Sequence, residues 1–399
     1  MFLSQTKVKP LASLKKNLLQ TFIAGAVAST VFVSSALAIE PTQSIVAPKA
    51  ERSMLLDLHM AGDSIIAVGE RGHILVSKDM GQTWVQTQAP LTQMLTAIDF
   101  PSANVGFAVG HDGQIVGTHD GGVTWSLVRD GLKSQLVLNE QAVKNYAAEV
   151  SRVQYLIEEG ATEDPDQPLA FEGMSLDEEL EELEWLLESS KDKLNEDVIA
   201  PPLMDVWFKD DLTGYTAGAF GQFFKTSNGG RRWQNLSQAI NNIDGYHLNA
   251  VVGANDGSVY VAGEAGFLAF SSDGGKSWQR ADLGYDGSIF GLIASQDGST
   301  VIATGLRGNT FMSQDKGVTW TTLNTGSDYS FSSGALYGQQ SLVLVGAGGY
   351  VATSDNAGES FTLKAIPSRS SLSSVLVLPN NKMIMTGQGG IHHLSTNNN

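Results

Sequence analysis

The chain has 399 residues, a formal net charge of −17 and no cysteine. The charge argues against nucleic acid as a partner, because phosphate binding requires a basic face. The lack of cysteine excludes disulfides, thiol catalysis and cysteine-ligated metals. The 43 glycines indicate many short strands joined by tight turns.

The N-terminus has the pattern of a bacterial export signal. Four lysines (Lys7, Lys9, Lys15 and Lys16) precede an apolar stretch over 18–33, and Ala36-Leu37-Ala38 fits a cleavage site. We predict a signal peptide over 1–38, cleaved after Ala38, and a mature protein that is periplasmic or secreted. An uncleaved membrane anchor is the alternative, which the short and interrupted apolar stretch disfavours. Without cysteine the chain cannot be a lipoprotein.

One motif recurs seven times along the rest of the chain. It begins with Gly-x-x-Gly, and in the first six copies an aromatic residue follows the first glycine by 15 positions. The first glycines are Gly69, Gly110, Gly218, Gly263, Gly305, Gly346 and Gly387. Their spacing is 41–45 residues, except for 108 between the second and third copies. Such a period holds four short strands and predicts an all-β, seven-bladed β-propeller.

The strands can be placed within one repeat. In blade two we predict an inner strand over 95–100, then strands over 106–109 and 114–118, and an outer strand over 124–128. The seventh copy meets the C-terminus before its outer strand. The spare segment Ser44–Pro48 is predicted to complete blade seven and close the ring, which removes an exposed sheet edge.

The turn before each outer strand reads Ser-x-Asp-x-Gly-x-x-Trp in several copies, the pattern called an Asp-box. The aspartate can accept backbone N–H groups, and glycine allows a positive φ. We therefore predict that these residues build blades and do not catalyse. They are Asp79, Asp120, Asp273 and Asp315, with Trp84, Trp125, Trp233, Trp278 and Trp320; Asn228 and Asp355 stand at looser matches.

The repeat resembles the photosystem II stability and assembly factor family, most clearly in Thr-His-Asp-Gly-Gly-Val-Thr-Trp at residues 118–125. The resemblance covers 50–394 except for one insertion, and is more distant to the neuraminidase repeat of sialidases. It implies a seven-bladed propeller and a non-enzymatic factor that binds subunits of a membrane complex. Similar sequences occur in non-photosynthetic bacteria, so the fold transfers better than the partner.

The Gly-x-x-Gly loops and the links between blades are predicted to share one face, opposite the Asp-box turns. Arginine can bind a carboxylate through two hydrogen bonds, so arginines on this face suggest a site for an anion or a peptide carboxylate. The alternative is that they pair with Glu70, Asp112 and Glu264, or face solvent. The candidate partner-binding residues are Arg52, Arg71, His111, Asp112, Phe220, Glu264, Arg307 and Arg369.

The long interval between copies two and three contains an insertion over 132–198 with a helical pattern. Leu136, Val143, Val150 and Ile157 recur every seven residues, which predicts an antiparallel helical hairpin. The insertion carries 18 acidic and five basic residues. It is either a solvated acidic surface or an arm that docks a basic partner. Candidate contact residues are Tyr146, Glu178, Glu179, Glu181, Glu182 and Trp185.

Four segments result: the signal peptide 1–38, propeller 39–131, insertion 132–198 and propeller 199–399. No phosphate loop, Ser-His-Asp motif, metal-ligand cluster or dinucleotide motif is present, so no cofactor or metal is predicted. We expect a non-enzymatic extracytoplasmic scaffold for a membrane-associated complex, with an envelope membrane protein, such as a transporter, as partner. The alternative is a sialidase-like glycan-binding or glycoside hydrolase propeller with Asp112 and Glu264 as paired carboxylates. The oligomeric state is left open.

Overall fold

A computed structural model describes residues 43–161 and 174–395. The predicted signal peptide and most of the connector around 160–173 lie outside these residues. Within them the chain forms 27 strands in seven antiparallel sheets, six of four strands and one of three. Each sheet is called a blade below, and in each the strands follow one another from the first, innermost strand to the last.

The strands have these bounds. Blade one contains β1 Leu55–Ala61, β2 Ser64–Gly69, β3 Ile74–Ser77 and β4 Val85–Thr87; blade two contains β5 Leu95–Asp99, β6 Gly106–Gly110, β7 Ile115–Thr118 and β8 Ser126–Arg129. Blade three contains β9 Leu203–Phe208, β10 Gly214–Gly218, β11 Phe223–Thr226 and β12 Gln234–Asn235; blade four contains β13 Leu248–Gly253, β14 Val259–Gly263, β15 Leu268–Ser271 and β16 Gln279–Arg280. Blade five contains β17 Ile289–Ala294, β18 Val301–Gly305, β19 Thr310–Ser313 and β20 Thr321–Leu323; blade six contains β21 Phe331–Tyr337, β22 Ser341–Gly346, β23 Tyr350–Ser354 and β24 Thr362–Ala365. Blade seven contains β25 Leu372–Val377, β26 Lys382–Gly387 and β27 Gly390–Ser395.

The strands predicted for blade two are confirmed to within two residues. Its second strand, β6, is buried along its whole length, which explains its continuous run of small and apolar residues. The core is assembled from layers between neighbouring blades. Phe107 of blade two, for example, stacks on Phe208 of blade three with ring centroids 4.0 Å apart.

Each innermost strand packs against that of the next blade, from β1 to β25, and this series returns from β25 to β1. At the return point the Ser373 hydroxyl donates a hydrogen bond to the Leu55 carbonyl over 2.9 Å. These contacts arrange the seven sheets as the blades of a propeller.

The segment Ser44–Pro48 does not form the predicted outer strand of blade seven. In the described residues that sheet has three strands, and Ser44 instead donates its N–H to the Ala89 carbonyl. The Gln86 side chain donates to the Ile45 carbonyl and accepts from Ala47 N–H. Because these backbone groups are engaged by blade one, they are not available to β27. The segment nevertheless reaches blade seven by packing, since Ala47 lies in one apolar cluster with Ile391.

Side chains connect the innermost strands of neighbouring blades, whose backbones do not pair with each other. Three carboxylates accept backbone N–H groups from the following blade: Asp57 from Ile98 at 2.9 Å, Asp99 from Phe208 at 2.6 Å and Asp205 from Val251 at 2.8 Å. Other side chains act as donors: Thr96, Asn249 and Ser373 donate hydrogen bonds to carbonyls of the following blade. These bonds satisfy edge groups that would otherwise be buried without partners.

The three carboxylates occupy an environment that disfavours their charge. Removal from water raises the pKa of Asp57, Asp99 and Asp205, most strongly that of Asp205, where the charges of the other two also contribute. Hydrogen bonds from the neighbouring strands oppose the rise. His59 lies with its Nε2 3.2 Å from the Asp99 carboxylate.

The insertion contains two helices, α1 Gly131–Glu158 and α2 Leu176–Asn195, which pack on each other as the predicted hairpin, called the arm below. Asp130 caps α1, while Ser175 and Glu178 form a capping box at the start of α2. The arm's core contains Val150, Val153, Leu176 and Leu183. Neither helix in the described residues is long and apolar enough to cross a membrane.

Two residues of the arm differ from their predicted roles. Glu179 is fully buried, with a carboxylate oxygen 3.7 Å from Arg152 Nη2, so it belongs to the interior of the hairpin and not to its acidic surface. A buried carboxylate needs such a counter-charge. Leu136, predicted for the apolar seam, is exposed because α1 extends beyond the part of α2 that could cover it.

We predict that Asp205→Asn changes the pH dependence of stability. Because the pKa of Asp205 is raised in the folded state, the native protein binds this proton more tightly than the unfolded chain. The carboxyl therefore reduces the free energy of unfolding as pH rises from about 4 through the raised pKa. Asparagine keeps an oxygen for Val251 N–H and cannot ionise, so the variant should gain stability relative to wild type as pH rises above about 4. Denaturant unfolding at several pH values measures this. Asp63→Asn, at an exposed turn, is the control; a pH-independent difference for Asp205→Asn would contradict the prediction.

Candidate functional site

The two faces of the propeller are distinct. The start of each innermost strand pairs with the first glycine of a Gly-x-x-Gly loop, as Leu55 does with Gly69, so the links and these loops share one face, called the tip face. The Asp-box turns lie at the other end of the blades. There, Gly121 N–H of blade two donates to the Asn104 carbonyl in the turn between β5 and β6.

The Asp-box residues are engaged in hydrogen bonds within their own turns. Asp120 accepts from the Thr118 hydroxyl and from both the hydroxyl and N–H of Thr124, at 2.6–2.9 Å. These bonds, led by the Thr124 hydroxyl, lower its pKa to about 2. The Trp125 indole donates to the Gly122 carbonyl. Equivalent carboxylate bonds occur at Asp79, Asp273 and Asp315, and equivalent indole bonds at Trp84 and Trp320. Trp233 and Trp278 pack in the apolar layers on either side of blade three.

Two blades use asparagine in this turn. Asn228 accepts the N–H of Arg232 in blade three. In blade six the acceptor is Asn356, bonded by the Ser354 hydroxyl and Ser360 N–H, so the assignment of Asp355 is wrong. The turn requires its acceptor two residues after the serine, and Asp355 follows by only one.

The tip loops present side chains from an unfavourable backbone. Their second variable position adopts a left-handed conformation, with φ of 56° at Arg71, Asp112 and Arg307 and 55° at Phe220. Arg369, in the link before blade seven, has φ of 55°. Blades six and seven place Gly348 and Gly389 there, residues for which this backbone costs nothing. A larger residue costs about 1–2 kcal/mol, so these side chains are held on the surface against a local energetic preference.

Four residues from blades five to seven form the arginine–tyrosine cluster: Arg307, Tyr329, Tyr350 and Arg369. The two tyrosine rings stack with centroids 4.2 Å apart, and the Arg369 guanidinium lies over the Tyr350 ring at 5.3 Å. Arg307 N–H donates to the Ser330 hydroxyl, next to Tyr329. Both arginines and Tyr329 are exposed. The cluster therefore presents the Arg369 guanidinium and an aromatic stack to solvent. Arg307 joins the cluster through its backbone, and the charge of its guanidinium acts on Tyr285.

The alternative for the tip-face arginines is pairing with nearby acids or exposure to solvent; the pairing is not seen, and all four arginines are exposed. Across 43–161 and 174–395, the ion pairs within 4 Å do not include Arg52, Arg71, Arg307 or Arg369. The acids hold backbone instead: Glu70 accepts from Met54 N–H and Glu264 from His247 N–H. Arginines without acidic partners are notable in a chain with net charge −17.

The remaining candidates are spread around the tip face. His111 and Asp112 form the loop tip of blade two, where the Asp112 carbonyl contacts Gly131 at the start of the arm. Phe220 is exposed and meets the His247 ring edge-on at 4.7 Å. Arg52 and Arg71 are exposed on blade one.

On the arm, the predicted candidates separate by burial. Glu181 and Trp185 are exposed, whereas the Glu178 side chain is engaged in the capping box of α2. Glu182 is half-buried, and Tyr146 packs against the arm's core.

Sequence reasoning missed Tyr329. Its signal is positional: it stands in the link before β21, and such links pass beside a tip loop, here that of Tyr350. No three histidine, aspartate or glutamate residues in the described ranges approach closely enough to hold a metal ion. Tyr337 ends β21 at the Asp-box end of blade six, away from the tip-face arginines.

The fold and this face place the chain among the β-propeller proteins. A family model described as "Photosynthesis system II assembly factor YCF48" matches residues 188–363. A search of curated proteins by sequence gave no significant match.

Several solved structures are similar in fold. One of "YCF48 bound to D1 peptide" is 16% identical, covers 89% of this chain and 97% of that chain, and has a TM-score of 0.57. "YCF48 from Cyanidioschyzon merolae" is 15% identical, with 88% and 97% coverage and a TM-score of 0.56. An ancestral GH74 enzyme is 14% identical, with 86% and 45% coverage and a TM-score of 0.56. The predicted resemblance to the photosystem II assembly factor family is confirmed by the family model over residues 188–363, and the similar solved structures share the β-propeller fold.

We predict that Arg307→Gly raises the free energy of unfolding by about 1 kcal/mol, because glycine adopts the left-handed backbone without steric cost. Ala265→Gly, at the corresponding position of blade four with φ of 51°, should give a similar gain without removing a guanidinium. Denaturant unfolding measures both changes. Lower stability in both variants would show that this backbone is not strained.

Proposed function

We propose that this protein is a non-enzymatic extracytoplasmic scaffold that holds a carboxylate-bearing segment of a protein partner on its tip face. The observation that carries the proposal is the arginine–tyrosine cluster, in which Arg307 and Arg369 have no acidic partner among the described residues. A structure of a similar propeller with a bound peptide supports a protein ligand.

The chemistry of the cluster fits a peptide carboxylate. A guanidinium donates two parallel hydrogen bonds to a carboxylate, and these charge-assisted bonds are about twice as strong as neutral ones. The stacked Tyr329 and Tyr350 offer a flat surface for an adjacent apolar side chain. Because Arg307 and Arg369 come from the tip of blade five and the link before blade seven, they could contact a ligand from two sides.

The partner that we propose is an envelope membrane protein or complex, with the scaffold in the periplasm after removal of residues 1–38. The mature chain would comprise a propeller over 39–131 and 199–399 and an arm over 132–198. We further infer that its ring is closed between blades one and seven, supported by the bond from Ser373 to Leu55 and by the packing of Ala47.

The alternative, a sialidase-like glycan-binding propeller or a glycoside hydrolase, has less support. The similarity of this chain to an ancestral GH74 enzyme is a similarity of fold, at 14% sequence identity. Glu264, one of the two carboxylates considered for it, accepts a hydrogen bond from His247 N–H. Fluorogenic glycosides hydrolysed at enzymatic rates by the purified protein, and no longer by a Glu264→Gln variant, would overturn the proposal.

The binding test uses a library of immobilised peptides made in two forms, with a free C-terminal carboxylate and with a C-terminal amide. We expect the protein to retain a subset of the free-acid peptides and to bind their amides about 10–100-fold more weakly, the effect of losing a charge-assisted hydrogen bond. Arg369→Gln should cause a similar loss. Arg232→Gln, an exposed arginine on the Asp-box face, is the matched control and should bind as wild type. Equal binding of acids and amides, or equal losses for Arg232→Gln and Arg369→Gln, would contradict the carboxylate site.

A further inference from the structure

A second surface stands where the arm joins the propeller. Leu136, Val137 and Leu138 are three consecutive exposed apolar residues on α1, with 37%, 62% and 53% of their surface accessible. Such runs on a protein surface are unusual and favour an interaction site. Ile199, 80% accessible, lies where the arm returns to the propeller. Val137, Leu138 and Ile199 are called the foot surface.

Backbone contacts locate the foot surface beside blades two and three. Gly131, the first residue of α1, packs directly on the Asp112 carbonyl at the tip of blade two. Leu136 follows by five residues, about 8 Å along the helix axis. On the other side, the Pro201 carbonyl accepts a hydrogen bond from Gln222, which adjoins the tip loop that carries Phe220. Ile199 precedes Pro201 by two residues, so it lies between the arm and this loop.

The two helices of the arm differ sharply in charge. α2 carries eight acidic and two basic residues, whereas α1 carries three of each. The acidic character continues to the base of the arm, where Asp192, Glu196 and Asp197 are exposed and the last two immediately precede Val198 and Ile199. An apolar surface is thus bordered on one side by carboxylates.

We propose that the foot surface docks a basic amphipathic helix of a protein partner. The apolar face of such a helix would cover Val137, Leu138 and Ile199, and its lysines or arginines would face Glu196 and Asp197. Docking of an amphipathic helix on an exposed apolar surface is a recurrent recognition mode, and opposite charges around it select the partner. The same carboxylates disfavour an anionic lipid surface, and a second copy of this chain would bring two acidic arms together.

This inference rests on the proposed function in that the partner is a protein, but it uses other blades and the opposite ligand charge. The probe is a labelled 18-residue leucine–lysine peptide designed to be an amphipathic helix, compared with a scrambled peptide and with a leucine–glutamate analogue. Fluorescence anisotropy of the full mature chain should detect the leucine–lysine helix and neither comparison peptide. Stronger binding of the leucine–glutamate analogue, or equal binding of the scrambled peptide, would overturn the proposal.

Variants of exposed residues test the surface itself. Val137→Ser/Leu138→Ser should weaken binding at least about tenfold, the effect of losing one to two buried apolar side chains. Glu196→Gln/Asp197→Asn should weaken it and reduce its salt dependence. The matched controls lie on the Asp-box face: Val318→Ser for apolar surface and Asp63→Asn/Glu359→Gln for charge, both expected to bind as wild type. Thermal unfolding of each variant checks that it is folded. Equal effects of test and control pairs would overturn the site.

Two further measurements separate the competing occupants. Sedimentation of the protein alone tests for self-association, and we expect none that depends on Val137 and Leu138. Flotation with anionic phosphatidylglycerol vesicles tests for lipid binding, and we again expect none that depends on these two residues. Either effect would overturn the peptide proposal in favour of a second copy or a lipid surface. Arg369→Gln should leave leucine–lysine binding unchanged. If the protein binds the leucine–lysine peptide but does not distinguish free-acid peptides from amides, the result counts against the proposed function alone. If it distinguishes free-acid peptides but does not bind the leucine–lysine peptide, the result counts against the foot surface alone.

Discussion

Hydrogen bonds from side chains of one blade to the backbone of the next hold this propeller together at its centre. Each blade is a small twisted sheet whose innermost strand has an open edge, and the innermost strands of two neighbouring blades do not form a ladder. Asp57, Asp99 and Asp205 accept N–H groups across this gap, while Thr96, Asn249 and Ser373 donate to carbonyls. Apolar layers between blades supply most of the burial, but they are not directional. The polar bonds fix the position of each blade against the next from blade one to blade five, and of blade seven against blade one.

The same contrast between satisfied and unsatisfied groups separates the two faces. At the Asp-box turns, every oxygen of an aspartate such as Asp120 is engaged, and the indole of Trp125 closes the turn. On the tip face, arginines project from left-handed backbone without a carboxylate partner in the described residues. The unpaired guanidinium groups, and not the backbone strain, distinguish the tip face, because Met80, Lys316 and Ala357 adopt the same left-handed backbone at the Asp-box turns. The tip face is therefore where we propose that a partner binds.

The repeat made much of the fold predictable. The strands of blade two, the helical hairpin and the separation of the faces follow from periodicity, glycine positions and turn chemistry, which are local properties. Ser44–Pro48 was misassigned because it has the length of an outer strand, whereas the competing bonds come from Gln86, about 40 residues away. Asp355 matches the motif by residue type, but the turn needs its acceptor two residues after the serine, where Asn356 stands. Glu179 looked like surface because its counter-charge, Arg152, lies on the other helix.

The candidate site was only half predictable. Sequence placed Arg307 and Arg369 on the tip face, but the packing of Arg369 on Tyr350 and of the Arg307 backbone beside Tyr329 depends on how three blades meet. Stacking between a link and a loop of different repeats leaves no periodic signal. The exposure of Val137 and Leu138 was likewise hidden, because heptad spacing predicts which residues face a second helix and not where that helix ends.

The arm leaves the propeller at Gly131 and returns at Pro201, and both residues pack at the tip of blade two. Its entry and exit are thus almost coincident, and its core of Val150, Val153, Leu176 and Leu183 is shared with no blade. The arm can consequently open and refold as a cooperative unit of its own while the blades stay folded. Amide protons of α1 and α2 would then exchange with solvent through a smaller opening free energy than those of the second strands. A partner bound to the arm would be coupled to its folding equilibrium before any blade moved.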